Sequence, residues 1–211
     1  MTSKAGKSLK DENRWQLWVI VAANSLFLYS AVQANAIKLA GLHAAFTNAQ
    51  DLVPVGLALV MSTVLNGLIS ADMKARLVFL RWDHALPGHR AFSKYAMRDP
   101  RVAPSIIERL NGGPLPVDPV EQNRLWYQFY KEVEDTPAVR QAHRDFLLMR
   151  DFTALCAIFM VFYGAAALYA IPSRRVALVY LLVLFVQYAV VRAAASNYGS
   201  RMVSTVLARS A

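Results

Sequence analysis

Apolar residues in this chain fall in long unbroken blocks. They do not recur at the 3.6-residue period of a helix half-buried in water or at the two-residue period of a strand, and such blocks point to lipid as the solvent. Low-charge stretches long enough to cross about 30 Å of hydrocarbon run from Trp15 to Gln33, Leu52 to Ala71, Phe152 to Ile171 and Val176 to Val191. The last is the shortest, and extends to Ala195 if Arg192 reaches along the helix to the interface. Trp15, Trp18, Tyr163, Tyr169 and Tyr188 sit near several of the ends, as interfacial aromatics do. The pattern predicts an all-α integral membrane protein. Four transmembrane helices would carry a helical cytoplasmic head between the second and third. The expected order is a basic N-terminus over 1–14, helices 1 and 2 within 15–71, the head over 72–151, helices 3 and 4 within 152–195, and a tail over 196–211.

Composition agrees, with 56% hydrophobic residues and a mean hydropathy of +0.30. The formal charge of +9 fits membrane topology, anionic lipid or an anionic ligand equally well, so its placement matters more than its size. Lys and Arg gather at the N-terminus (Lys4, Lys7, Lys10, Arg14), in the central segment and in the tail (Arg192, Arg201, Arg209), whereas the segment between the first two spans has only Lys38. By the positive-inside rule both termini and the head are cytoplasmic, with Arg174 and Arg175 a mild exception. The competing reading is a cleavable signal peptide ending at Ala34-Asn35-Ala36, which would leave three spans. The lone Cys156 allows neither an intrachain disulfide nor a Cys-based zinc site.

Within the head, Pro and Gly cut the sequence into short helical pieces. No breaker stands between Gly67 and Ala85, so span two is expected to continue as a stalk to Leu86-Pro87-Gly88. A short helix follows over His89 to Met97, and another over Ala103 to Leu110, with Pro104 in its first turn and Gly112-Gly113 closing it. Asp118-Pro119-Val120-Glu121 is an N-cap with proline at N1 and glutamate at N3, ahead of the apolar run Leu125, Trp126, Phe129, Tyr130 and Val133. Asp135 or Thr136 caps a last helix that meets no Gly or Pro between Pro137 and Gly164.

Two constellations carry candidate chemistry. Gly56, Leu59, Thr63, Asn66, Ser70 and Met73 follow a 3-4 spacing, with Ser62 one turn before Asn66, which makes a coiled-coil seam with small and polar members. It reads either as packing inside the bundle or as the lining of a pore in a symmetric oligomer, through Leu59, Ser62, Thr63, Asn66 and Ser70. In the head, Arg81, Trp82, His84, His89, Arg90 and Lys94 crowd one turn, while Arg124, Trp126, Tyr127 and Tyr130 lie on the capped helix. Cations for phosphate and aromatics for bases are what a nucleotide site needs. The plainer reading makes the aromatics core and the cations a solvated or lipid-facing surface. Asp72 and Arg192, near the ends of their spans, are expected to pair or to reach the interface separately. No catalytic motif, cofactor motif or metal-ligand spacing stands out. His84 and His89 are five apart, off one helical face; Asp83, His84, His143 and Asp145 could form an acid/base or metal site, and each also reads as a surface or cap residue.

Leu86-Pro87-Gly88-His89-Arg90-Ala91-Phe92, Asp99-Pro100-Arg101, Leu115-Pro116, Glu121-Gln122-Asn123, Trp126-Tyr127 and Arg150-Asp151 resemble the head of four-span membrane effectors of bacterial antiphage defence, such as that of the Hailong system. The resemblance implies a multi-pass protein of the bacterial inner membrane. It also implies a homo-oligomeric channel, with a tetramer favoured, controlled by an oligonucleotide second messenger from a nucleotidyltransferase encoded nearby. The alternative is a non-conducting membrane anchor or scaffold that recruits a soluble partner.

Overall fold

A computed structural model describes residues 12–33 and 53–211, and every regular element among them is helical. The helices are α1 (Arg14–Val32), α2 (Val53–Leu68), α3 (Ala71–Phe79), α4 (Pro104–Asn111), α5 (Pro119–Val133), α6 (Pro137–Ile158), α7 (Gly164–Ala170) and α8 (Arg174–Ser210). A 3-10 turn at Pro87–Arg90 leads into a π-helical turn at Ala91–Ala96, and a second π turn, Phe159–Tyr163, joins α6 to α7 as one rod over Pro137–Ala170. Three helices, α1, this rod and α8, are long and apolar enough to cross a bilayer, and there are four if α2 and α3 count as one broken span. Lys4, Lys7, Lys10, Lys38 and Ala34-Asn35-Ala36 lie outside the described residues.

The chain gathers into two compact units, one holding α1, α2 and Asp151–Val191, the other Ala71–Arg150 and Arg192–Ala211. In the first, Val21, Leu155, Phe159, Tyr163, Tyr180 and Leu184 are packed inside, while Leu57, Val60, Val161, Leu182 and Phe185 face outward. Its polar groups turn inward. Tyr163 Oη shares hydrogen bonds with Ser25 Oγ at 2.7 Å and Ser62 Oγ at 3.1 Å, so three helices meet on one hydroxyl. In this chain the α2 seam takes part in packing within the unit. Ser62 and Asn66 are buried within their own unit, Leu59 packs against its core, and Thr63 Oγ1 donates back to Leu59 O at 2.9 Å. Ser70 alone of the five is exposed. Small and hydroxyl-bearing residues at these positions serve close helix approach and interhelical bonding.

The second unit is built around Phe92, Tyr95, Ile107, Trp126, Phe129, Val139, Phe146, Met202, Val203, Val206 and Leu207. Its last four members come from the C-terminal stretch, which is no separate tail. α8 is continuous from Arg174 to Ser210, and its far end forms one wall of this core.

Local signals account for the pieces of the second unit. Asp118 Oδ1 accepts from the backbone N–H groups of Val120 and Glu121 at 2.9 and 3.0 Å, satisfying two free donors of α5. Pro104 opens α4, and Gly112 closes it in the left-handed conformation at φ 72°. Gly88 is required by close approach, since a Cβ there would meet Trp126 Cε3 at 2.9 Å and collide with the Asn123 side chain.

The expected stalk from Gly67 to Ala85 does not form. The chain breaks after Leu68, resumes as α3 at Ala71, and stops at Phe79 with Leu80 at φ 49°. No Gly or Pro stands at the second stop, where a tertiary partner is present. The Val78 carbonyl, which a longer helix would give to an N–H one turn on, instead accepts from Arg192 Nη1 at 3.3 Å. The same bond replaces the expected Asp72–Arg192 pair, which is not formed.

Candidate functional site

The ten head residues proposed to bind a ligand divide among four places. Trp82, His84 and His89 line a cavity of about 200 Å³ together with Asp72, Arg76, Ala85 and Leu86. Arg81 is exposed beside it. Arg90 is turned inward, its guanidinium 5.5 Å from the Phe79 ring centroid, and its Nε and Nη1 are buried with no hydrogen-bond partner among the described residues. Lys94 lines a different cavity.

On α5, Trp126 is buried and stacked on Tyr130, with ring centroids 5.7 Å apart. The Tyr130 hydroxyl meets His143 Nδ1 at 2.9 Å. Burial pushes the Tyr130 phenol up to about 12, reinforced by Glu134, and burial lowers the His143 imidazole, with Arg150 acting in the same direction. The pair is therefore a neutral, hydrogen-bonded core contact. Arg124 and Tyr127 stand on the exposed face of α5, so Tyr127 alone of the four α5 aromatics has its ring well open for stacking.

The stronger concentration of charge lies elsewhere. A cavity of about 580 Å³ is lined by Lys94, Arg98, Arg101 and Arg201, with Tyr95, Asp99 and Pro100 beside them and Ser196, Asn197, Ser200 and Ser204 along α8. Four cations face one carboxylate. Asp99 is itself engaged: Arg101 Nε donates to Oδ1 at 3.0 Å and Nη2 to Oδ2 at 2.7 Å, while the Arg101 backbone N–H reaches Oδ1 at 3.0 Å. The guanidinium holds the Asp99 carboxyl down to about 2, helped by Ser204. Lys94 Nζ covers the Tyr95 ring at 5.4 Å, which leaves that face unavailable to a base.

Arg101 and Arg201 also line a neighbouring cavity of about 300 Å³ with Gln141, Asp145, Thr205 and Arg209. The two cavities thus share a ridge of two arginines, and fixed cations with hydroxyl and amide donors suit phosphate oxygens. No family model matches this chain, and no curated protein or solved structure does. The functional reading therefore rests on this geometry.

Of the ten residues, only Lys94 belongs to the larger site. Arg98, Arg101, Arg201, Ser196, Ser200 and Ser204 do not stand out in the sequence, because four of the six sit in what reads as a polar tail. The signal was present: Met202, Val203, Val206 and Leu207 are spaced as one buried helical face, and a helix with that face turned to a core sets Arg201 and Ser204 at its border. Gln122 was missed as well. It is fully buried, accepts from Phe92 N, Ser93 N and Ser93 Oγ, and donates to Val117 O at 2.9 Å, which ties the π turn to α5. A glutamine one place past a capping glutamate gives no sequence sign of that role.

Groups of three or more His, Cys, Asp or Glu able to hold a metal are absent among the described residues.

Proposed function

We propose that this protein is a multi-pass membrane effector whose head binds a phosphate-bearing ligand, a nucleotide or short oligonucleotide, in the cavity of Lys94, Arg98, Arg101 and Arg201. Binding would open a homo-oligomeric channel, as in the antiphage effectors its head motifs resemble. The supporting observation is a single element. α8 runs 37 residues without a break, with Val176 to Val191 as an apolar segment at one end and Ser196, Ser200, Arg201 and Ser204 on the cavity at the other. A ligand that draws on the second end can displace the first, because a continuous helix transmits translation and rotation along its axis. Recognition would rest on phosphates more than on bases, since the cavity offers cations and hydroxyls and its one aromatic ring is covered by Lys94.

The test is binding of a short fluorescent oligonucleotide to the full chain across a salt series. Binding should weaken steeply with salt, with a slope that shrinks in Arg201→Glu. Binding that ignores salt, or is the same in Arg201→Glu, would overturn the assignment. Conductance is tested separately by bilayer recording with and without that oligonucleotide.

The inward placement of Ser62 and Asn66 favours a second reading, a non-conducting anchor whose head recruits a soluble partner. That reading predicts ligand binding with no current under any condition.

A further inference from the structure

Between α3 and the 3-10 turn, the chain forms a loop in which two residues other than glycine, Leu80 and His84, have left-handed backbones at φ 49° and φ 50°. The loop presents apolar groups outward: Leu80 is 63% and Trp82 73% exposed, and Met73 on α3 is also exposed. Arg76 reaches over the Trp82 ring at 5.7 Å from its centroid. Beneath the ring is the cavity of about 200 Å³, lined by Asp72, Arg76, Trp82, His84, Ala85, Leu86 and His89, where the two imidazoles lie 5.1 Å apart.

In water this arrangement has a poor rationale, because a protein does not normally hold a tryptophan and a leucine outward on adjacent strained turns. At a bilayer surface it has a good one. Tryptophan and leucine seat in the boundary between headgroups and acyl chains, and arginine beside them meets phosphate. Chain connectivity points the same way. Only Ile69 and Ser70 separate apolar α2 from the nine-residue α3, so the loop after Phe79 is tethered within about 25 Å of the end of α2.

We propose that this loop and cavity form a headgroup site for an anionic phospholipid. Arg76 and Arg81 meet the phosphate region, His84 and His89 close the cavity behind it, and Leu80 and Trp82 insert as anchors. Asp72, also on the cavity wall, disfavours a second negative charge beside the phosphate and so favours a singly charged headgroup. The inference rests on the membrane reading of the apolar helices, and the experiment separates the two.

The full chain carrying Cys156→Ala and Asp83→Cys, labelled at position 83 with an environment-sensitive fluorophore, is incorporated into nanodiscs of phosphatidylcholine alone or with one part in five phosphatidylglycerol. The expected result is blue-shifted emission in the anionic discs. Competition between the two lipids should show a preference for phosphatidylglycerol that falls about fivefold in Arg76→Gln and returns in Arg76→Lys. Trp82→Ser should reduce the shift in both kinds of disc. Equal emission in both discs, or a preference untouched by Arg76→Gln, would overturn the site. Inorganic phosphate reproducing the shift in phosphatidylcholine discs would overturn the lipid assignment in favour of a free anion. Failure of the chain to enter either disc would overturn the membrane reading itself.

Discussion

The two units of this chain are built from the same kind of helix and are inside out with respect to each other in chemistry. The first turns Leu57, Val161, Leu182 and Phe185 outward and keeps Ser25, Ser62, Asn66 and Tyr163 within. The second buries Phe92, Ile107, Trp126 and Val203 and leaves Arg81, Arg98, Arg101, Arg124, Arg201 and Arg209 outside. Helix propensity does not distinguish them; on the proposed membrane reading, the solvent each faces does. In lipid the backbone and any polar side chain must find partners inside, whereas in water apolar burial is the driving force and charge belongs at the surface. α8 is where one chemistry gives way to the other within a single helix, which is why its apolar half and its cavity half read so differently in sequence.

Paired substitutions of opposite sense should break this contrast most severely. Val203→Asp places a carboxylate in a fully buried position of the second unit and should cost several kcal/mol, on the order of 3–5, seen as loss of protease resistance in residues 71–150. Leu182→Lys lies on the outward face of the first unit. In water it would cost almost nothing, but in a bilayer it should cost about 3 kcal/mol and lower the yield of inserted protein. A protein that tolerates Leu182→Lys in membrane-insertion assays would not be using α8 as a span.

A smaller effect is expected at Tyr163. Tyr163→Phe removes the hydroxyl that Ser25 and Ser62 share, and should cost roughly 1 kcal/mol, read as a lower unfolding midpoint in detergent. Asp118→Ala, in the aqueous-type unit, should cost a similar ~1 kcal/mol through loss of the α5 cap. Equal sensitivity of both variants to detergent would blur the contrast between the units.

The pH response should be smaller still. Burial lowers the imidazole of His143 in the folded chain, so the unfolded chain binds the proton more readily. Stability is then full above the ordinary histidine value near 6.5 and is lost as pH falls below it toward the folded value. His143→Phe should flatten that slope below about pH 6.5, as measured by thermal unfolding; His89, also lowered by burial, contributes in the same sense and sets the residual slope.

Much of the helical framework was legible because local rules decided it. Three of the four apolar segments appear as helices long enough to cross a bilayer, and the caps at Asp118, Pro104 and Gly112 fell where turn chemistry put them. What could not be read was decided by contacts distant in sequence. Arg192 terminates α3 through the Val78 carbonyl, a partnership 114 residues apart that no local signal encodes. The polar seam of α2 has a spacing that fits a pore and a packed interface equally, and the bond from Ser62 to Tyr163, contributed by a third helix, could not be read from it. The basic cavity was out of sight in the sequence for a similar reason. Aromatic and cationic residues close in sequence around 81–94 drew attention, while the basic cavity is assembled from Lys94 to Arg101 and from α8, roughly a hundred residues later.

The proposed ligand is held at the α8 cavity and not on the exposed face of α5. The most direct measurement is oligonucleotide affinity of the full chain in nanodiscs for Arg201→Glu and Arg124→Glu, side by side at one salt concentration. Both residues are exposed and the substitutions are identical in charge. Arg201→Glu should lose at least about tenfold in affinity while Arg124→Glu stays within about twofold of the parent. Loss in Arg124→Glu with full binding in Arg201→Glu would contradict it.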